Sequence, residues 1–290
     1  MRLGCIDVGS NTTRLLVAEG IPDGLRDVLN ERAFTLIGRS LTSDGRIPPE
    51  KIEETADAVM RQAEQARAAG AEAVRVVATA AIRRAANAAD LAAAVEGATG
   101  LELEVLGGEE EARLAFRGAA NAFGEAGSLA VVDVGGGSTE VAFGAGDGTI
   151  AAAASVAVGS STLAERHLAS DPPRADQIAA ARAEAAAAFA GLESRPVDRA
   201  VAVGGSASSL QHLAGRELGH VELAEALDTL LTEPAWEVAQ RFELDPERVR
   251  LLPAGLVILT EVALCLQQSL RVCKGGLREG VILEMLGNRT

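Results

Sequence analysis

Leu129-Ala-Val-Val-Asp-Val-Gly-Gly-Gly-Ser-Thr-Glu-Val-Ala-Phe143 is the stretch on which the reading of this chain turns. An apolar run ends in Asp133, three glycines and a serine follow, and a second apolar run begins after Glu140. The pattern predicts a strand, a tight turn and an antiparallel return strand. Consecutive glycines let backbone approach a ligand closely, and successive N–H groups can form an anion-binding nest. Asp133 and Glu140 stand at the mouth as hard oxygen donors suited to Mg²⁺. A phosphate group with its metal fits this chemistry, with Gly135, Gly136, Gly137 and Ser138 as its candidate contacts. Taken alone, the stretch reads first as an ordinary Gly-rich hairpin.

The N-terminus repeats it. Ile6-Asp-Val-Gly-Ser-Asn-Thr-Thr-Arg14 lies over Val132-Asp-Val-Gly-Gly-Gly-Ser-Thr-Glu140 without a gap, placing Asp7 on Asp133, Val8 on Val134, Gly9 on Gly135 and Thr13 on Thr139. One copy carries Arg14 where the other carries Glu140. A duplicated strand–turn–strand unit so far apart in the chain signals repetition at the level of whole domains. Asp7 joins the metal candidates, and Ser10, Asn11, Thr12 and Arg14 join the phosphate candidates.

Between the two hairpins the pattern predicts a third strand over 24–37, a helix over 48–69 led by Pro48-Pro49, and a strand over 73–78. A helix at about 87–96, a strand at 101–106 and a helix through Phe123 follow. The second half restarts with strands near 129–134, 138–145 and 149–156, then helices near 160–168 and 174–190. A strand over 199–203 leads into a helix opened by Gly204-Gly-Ser206, with a helical tail over 222–270 and a last helix from about 278. Strands first and alternating helices later, twice over, make two α/β domains with mixed sheets and a cleft between them as the default ligand site. The expected division is 1–126 and 127–290, with the helix at about 278–290 a candidate to pack back on the first domain.

Composition narrows the function. The 290 residues carry a formal net charge of −14, which argues against sequence-general nucleic-acid binding, since that affinity comes from neutralising phosphates. A phosphate substrate stays open, because arginines gathered locally can reverse the field in a cleft. The segment 251–268 is apolar but includes Thr260 and Glu261, so a buried helix is expected and no membrane association. Three cysteines without ligand spacing and no apolar leader after Met1 point to a reduced, cytoplasmic protein.

Further residues could carry chemistry. Gly204, Gly205 and Ser206 follow a Val-rich strand and open a helix, a geometry that presents N–H groups to an anion. Glu109, Glu110 and Glu111 open the helix that ends the first half, where acids also simply complement the helix dipole. Only Glu111 steps by three and four onto Leu114, Ala115 and Gly118, toward the buried side, which makes it a candidate catalytic group. Thr79 and Arg83 follow a strand end, where α/β sheets place ligands.

The order and spacing of Ile6–Leu15, Ala78-Thr-Ala-Ala-Ile-Arg83, Glu110-Glu-Ala-Arg-Leu114, Val132–Glu140 and Leu277-Arg-Glu-Gly-Val281 resemble the exopolyphosphatase/guanosine pentaphosphate phosphohydrolase (Ppx/GppA) family, in its short form of two actin-like (ribonuclease H-like, ASKHA) domains. The resemblance implies a Mg²⁺-dependent hydrolase that removes the terminal phosphate of inorganic polyphosphate. It implies Glu111 as catalytic base, Arg83 as an arginine on substrate phosphate, and Asp133 with Glu140 as the acidic pair near metal. The loops Ser10–Thr12, Gly135–Ser138 and Gly204–Ser206 would contact phosphate. Ala80 stands where the family often has Ser or Asn, and the acidic surface favours short chains. Alternatives are hydrolysis of guanosine pentaphosphate, an actin-like kinase, and a sensor that binds without turnover. Dimers are common in the family, and the 251–270 segment is a candidate homodimer interface or core.

Overall fold

Alternation along the first strand positions everything in the N-terminal half. The computed structural model describes residues 1–22 and 24–287. Strand β1 (Arg2–Val8) forms a hairpin with β2 (Thr12–Ile21), which pairs with β3 (Gly24–Phe34). After α1 (Ile37–Ser40) and α2 (Pro49–Ala68) come β4 (Ala73–Ala78), α3 (Ala80–Arg84), α4 (Ala88–Thr99), β5 (Leu103–Val105) and α5 (Gly108–Phe123). β4 runs parallel to β1 and β5 parallel to β4, giving the order β3-β2-β1-β4-β5. Ile6, Val8, Leu15 and Val17 face a core completed by α2 and α4 through Val59, Ala63, Leu91 and Val95. Leu3, Cys5, Leu16 and Ala18 face the other way, onto Leu106 and Leu114. By the two-residue period of a strand, Asp7 and Arg14 continue this second set at the strand ends.

The second half repeats the plan. β6 (Ser128–Val134), β7 (Thr139–Ala145) and β8 (Ile150–Val156) form the antiparallel part. Then come α6 (Ser160–His167), α7 (Ala175–Phe189), β9 (Arg199–Val203), α8 (Gly204–Ala214), β10 (Glu217–Leu218), α9 (His220–Thr232), α10 (Ala235–Phe242), α11 (Pro246–Val249), α12 (Leu252–Leu266) and β11 (Leu270–Val272). The sheet order is β10-β11-β9-β6-β7-β8, with β9 parallel to β6 and β11 parallel to β9. Apart from the two-residue β10, it is the first sheet over again. The helical tail expected at 222–270 is made of four helices, followed by β11, and β10 and β11 are too short to leave a period in the sequence.

Helix α12 is the core of this half. Leu256, Val257, Ile258 and Leu259 are all fully buried, and the helix packs on α6, α7, α8 and α9. Its apolar character is thereby accounted for within one chain. Among the described residues no helix is long and apolar enough to cross a membrane.

The last element, α13 (Leu277–Gly287), packs on β1 and β2, where Val281 and Ile282 complete the core around Leu3 and Leu16. The chain divides into two units accordingly: Met1–Ala122 with the residues from Gly275 on, and Phe123–Lys274. Close approach fixes two glycines here. A Cβ on Gly280 would overlap the Leu114 carbonyl, and one on Gly118 the backbone of Gly276. At the far end, Arg75 makes paired hydrogen bonds to Glu104 at 2.8 and 2.9 Å and a third to Glu284, which Arg117 also approaches at 3.4 Å. The three cysteines are free, and burial pushes each thiol up from its ordinary range.

Candidate active site

In the first unit Asp7 and Arg14 are direct register partners across the β1–β2 hairpin. Side chains opposite each other in an antiparallel pair share a face. The turn between them closes with Gly9 N donating to Thr12 O at 3.0 Å, and holds Ser10, Asn11 and Thr12. Asp7 Oδ1 is enclosed, and among the described residues no hydrogen-bond donor reaches it. Burial pushes its carboxyl above the ordinary carboxylate range, while the charges of Arg278 and Arg14 pull it back and Glu279 adds to the rise. Arg278, itself only 7% exposed, donates to Leu15 O at 3.1 Å and Asn30 Oδ1 at 3.0 Å.

Beside this hairpin the parallel pairing of Val8 with Ala78 brings Thr79 to the end of β1, and Thr79 N donates to Val8 O at 3.3 Å. Thr79 is the N-cap residue of the one-turn helix α3, whose last turn holds Arg83. Arg83 Nη1 donates to Glu111 Oε2 at 2.8 Å and to Leu106 O at 2.8 Å. Glu111 sits in the first turn of α5 and is 8% exposed, with Leu114, Ala115 and Gly118 buried below it, as the helical spacing requires. Glu109 stays exposed. Arg83 and Glu111 thus form one unit, a pairing invisible to reasoning that treated them as separate candidates. Ala80 is buried at the first position of α3 and offers no polar group.

In the second unit Asp133 and Glu140 are register partners across β6 and β7, and the turn closes with Gly135 N donating to Ser138 O at 3.0 Å. That bond is the counterpart of Gly9 to Thr12 in the aligned copy. Ser138 and Glu140 are buried, and Glu140 Oε1 accepts from Ser155 Oγ of β8 at 2.7 Å. Pairing of Asp133 with Val203 brings the start of α8 alongside. Gly204 has φ 83°, and a Cβ there would overlap Asp133 Oδ1. Only glycine lets the backbone lie against that carboxylate. A Cβ on Gly205 would overlap the Arg248 guanidinium, and one on Gly255 would press within 2.7 Å of Ser206 Oγ.

The first unit therefore sets Asp7, Ser10, Asn11, Thr12, Arg14 and Thr79 at the ends of β1, β2 and β4, with Arg83 of α3 following Thr79 and bonded to Glu111 of α5. The second gathers Asp133, Gly135–Ser138, Glu140 and Gly204–Ser206 at the ends of β6, β7 and β9. Sequence reasoning missed Ser155, Arg248 and Arg278. Arg278 lay in a segment that carried a resemblance but no role. Arg248 follows an Asp-Pro helix start with no local chemistry to mark it. His167 pairs with Glu184 at 2.6 Å, and none of the candidates is its partner.

Among the described residues no three His, Cys, Asp or Glu side chains converge into a protein-only metal centre. Mg²⁺ does not require one, because it commonly binds one or two carboxylates and completes its shell with water and substrate phosphates. In the second unit the facing carboxylates of Asp133 and Glu140 fit that donor chemistry, and in the first so does Asp7 Oδ1, which has no hydrogen-bond partner among the described residues.

A family model described as the Ppx/GppA phosphatase family matches residues 16–289. The chain is 32% identical to Exopolyphosphatase 2 of Mycobacterium tuberculosis, with 99% of each chain covered. It is 30% identical to Exopolyphosphatase 1 of the same organism, covering 99% of this chain and 88% of that one. The crystal structure of the Aquifex aeolicus Ppx/GppA family member superposes with a TM-score of 0.85 at 29% identity, covering 100% of this chain and 99% of that one.

Proposed function

The chain belongs to the Ppx/GppA phosphatase family, and from that premise we propose that it is an exopolyphosphatase that hydrolyses the terminal phosphoanhydride bond of inorganic polyphosphate. One observation carries the reading: a carboxylate at 8% exposure, Glu111, is held by Arg83 at 2.8 Å, in the unit that also carries the Ser10–Thr12 turn. Such an arrangement suits a general base better than a helix-dipole acid, which would sit in solvent as Glu109 does.

In this mechanism Glu111 accepts a proton from water as the water attacks the terminal phosphorus in line with the leaving oxygen. In each unit the turn N–H groups would hold phosphate oxygens: those of Ser10–Thr12 in the first, with Arg14 offering a cation beside them, and those of Gly135–Ser138 and Gly204–Ser206 in the second. Arg83 holds Glu111 by its Nη1 and presents its charge near the group being transferred. Asp133 and Glu140 of the second unit would hold Mg²⁺, which when bound supplies charge neutralisation to phosphate, and Asp7 is the corresponding carboxylate candidate of the first unit. Inorganic polyphosphate is the partner, no nucleic acid or membrane is involved, and the reduced thiols suit the cytoplasm. The same turns would hold the phosphate tail of guanosine pentaphosphate, which makes it the competing substrate.

Phosphate release from polyphosphates of defined length, guanosine pentaphosphate and ATP, each with Mg²⁺, tests the proposal. Fastest turnover of polyphosphate is expected. Preference for pentaphosphate, or transfer from ATP to an acceptor, would replace the reading.

A further inference from the structure

Both phosphate turns are held from behind. Gly135 O accepts from Ser160 N at 2.9 Å and Ser160 Oγ at 3.2 Å, and Gly136 O accepts from Ser161 N at 2.9 Å and Thr162 N at 3.1 Å. In the other unit Ser10 O accepts from Gly38 N at 2.7 Å, while Asn11 O accepts from Thr35 N at 3.2 Å and Leu36 N at 3.0 Å. The donors come each time from the segment that follows the third strand, β3 or β8. A trans peptide points its C=O and the next N–H in opposite directions, and none of these peptides is cis. Carbonyls drawn backward therefore send the N–H groups of Gly136 and Gly137, and of Asn11 and Thr12, to the opposite side.

Two local features make this possible. A Cβ on Gly159 would lie 2.5 Å from the carbonyl carbon and oxygen of Gly136 and from Gly137 N, so only glycine permits the approach. Thr162 pins that glycine, its Oγ1 accepting from Gly159 N at 3.2 Å and donating to Gly159 O at 3.1 Å. The other end of α6 is tied to α7 through Glu184, which meets Arg166 and His167. In the first unit Leu36 adopts left-handed backbone at φ 52°, ψ 32°, rare for a residue other than glycine. That turn aims the Thr35, Leu36 and Gly38 amides together at the loop.

We propose that Gly159 with Ser160–Thr162, and Leu36 with Gly38, are positioning residues that hold the two phosphate turns with their amides facing the anion. Anion affinity is then set from behind the loops, by residues that never touch substrate. The inference rests on reading these turns as phosphate sites. It also predicts an order: Gly38 has more room, since a Cβ there would lie 3.2 Å from Ser10 Cβ and 3.3 Å from Ser10 O.

The test measures binding of inorganic tripolyphosphate with Mg²⁺ by calorimetry in the Glu111→Gln background, and polyphosphate kinetics in the wild-type background. Gly159→Ala should raise Kd and KM tenfold or more, Gly38→Ala about threefold, and Gly97→Ala, which has open space around its Cα, not at all. In ¹⁵N-glycine-labelled protein, the Gly136 and Gly137 amide signals should shift on adding tripolyphosphate, and Gly159→Ala should abolish that shift. A folded Gly159→Ala protein with unchanged Kd and amide shifts overturns the inference while the hydrolase reading stands. Wild-type protein that binds tripolyphosphate through Gly159-dependent amides but releases no phosphate overturns the hydrolase reading alone. Absence of tripolyphosphate binding overturns both. If Gly159→Ala does not fold, Ser160→Ala decides: loss of the Oγ bond to Gly135 O should raise Kd two- to fivefold, and an unchanged Kd counts against the proposal.

Discussion

Arg83 Nη1 lies 2.8 Å from Glu111 Oε2, and the same nitrogen donates to the Leu106 carbonyl at 2.8 Å. The guanidinium is therefore fixed to backbone on one side and to the candidate base on the other. A lysine would keep the charge but offer a rotating point-like ammonium in place of a rigid guanidinium plane, so it would orient Glu111 less firmly. Glu111→Ala should cut phosphate release by about 10²- to 10⁴-fold, the usual contribution of a positioned base. Tripolyphosphate binding should survive. Arg83→Lys should lower kcat more than it raises KM if the arginine chiefly orients Glu111. Steady-state kinetics beside binding calorimetry separate these effects, and near-normal turnover in Glu111→Ala would remove the residue from the mechanism.

Asp133 and Glu140 should reveal themselves through metal dependence. Asp133→Asn and Glu140→Gln are expected to raise the Mg²⁺ concentration for half-maximal activity by about tenfold or more, the scale on which disturbing a metal site acts. Ser155→Ala removes the hydroxyl that donates to Glu140 at 2.7 Å and should give a smaller shift in the same direction. Mg²⁺ titrations of initial rate make the comparison.

Gly204→Ala combines two penalties: a left-handed backbone and a Cβ driven into Asp133 Oδ1. The backbone cost alone is about 1–3 kcal/mol, so the melting temperature should fall along with activity. Arg248→Ala, which removes the guanidinium seated on Gly205, should leave the melting temperature nearly unchanged and raise KM about tenfold. A paired thermal melt and kinetic assay tells the two behaviours apart.

Asp7 should make stability depend on pH. Burial raises its folded-state pKa above the unfolded value. Its contribution is then favourable below the unfolded carboxylate range and is lost as pH rises through the folded pKa. Asp7→Asn should therefore gain on wild type most at pH 7 and above, and the gap should close as pH falls into the acid range. Urea unfolding of both proteins across that range checks the sign, while activity of the variant falls.

The clasp on α13 should be a stability element with no part in catalysis. Arg75 reaches Glu104 and Glu284, and Arg117 reaches Glu284 as well. Glu284→Ala should cost about 1–2 kcal/mol, the range for hydrogen bonds to charged groups when partly screened. Denaturant midpoints measure it, and kcat/KM should not change.

Local pattern was enough for much of this. The helix over 48–69 and the strand at 73–78 stand close to α2 and β4, because a proline start and apolar spacing are local signals. The repeat of Asp7–Arg14 in Asp133–Glu140 pointed to two domains built alike, because each hairpin follows from its own turn, and the like order of the two sheets appears only in the fold. Glu111 could be singled out because the helical period alone says which of three neighbouring acids turns inward. Other features needed the folded chain. α13 carries residues from the end of the sequence to β1, and no periodicity says which surface an apolar helix will choose. The Arg83–Glu111 bond, the Gly204 backbone against Asp133 and the Gly159 approach to Gly136 all join segments distant in sequence. The sequence by itself determined the two hairpins, their turn chemistry and the carboxylates at their mouths, since these depend on neighbours along the chain. Tertiary structure alone decided which arginine holds the base and which glycine lets a helix support the phosphate turn, since those depend on what packing brings within 3 Å.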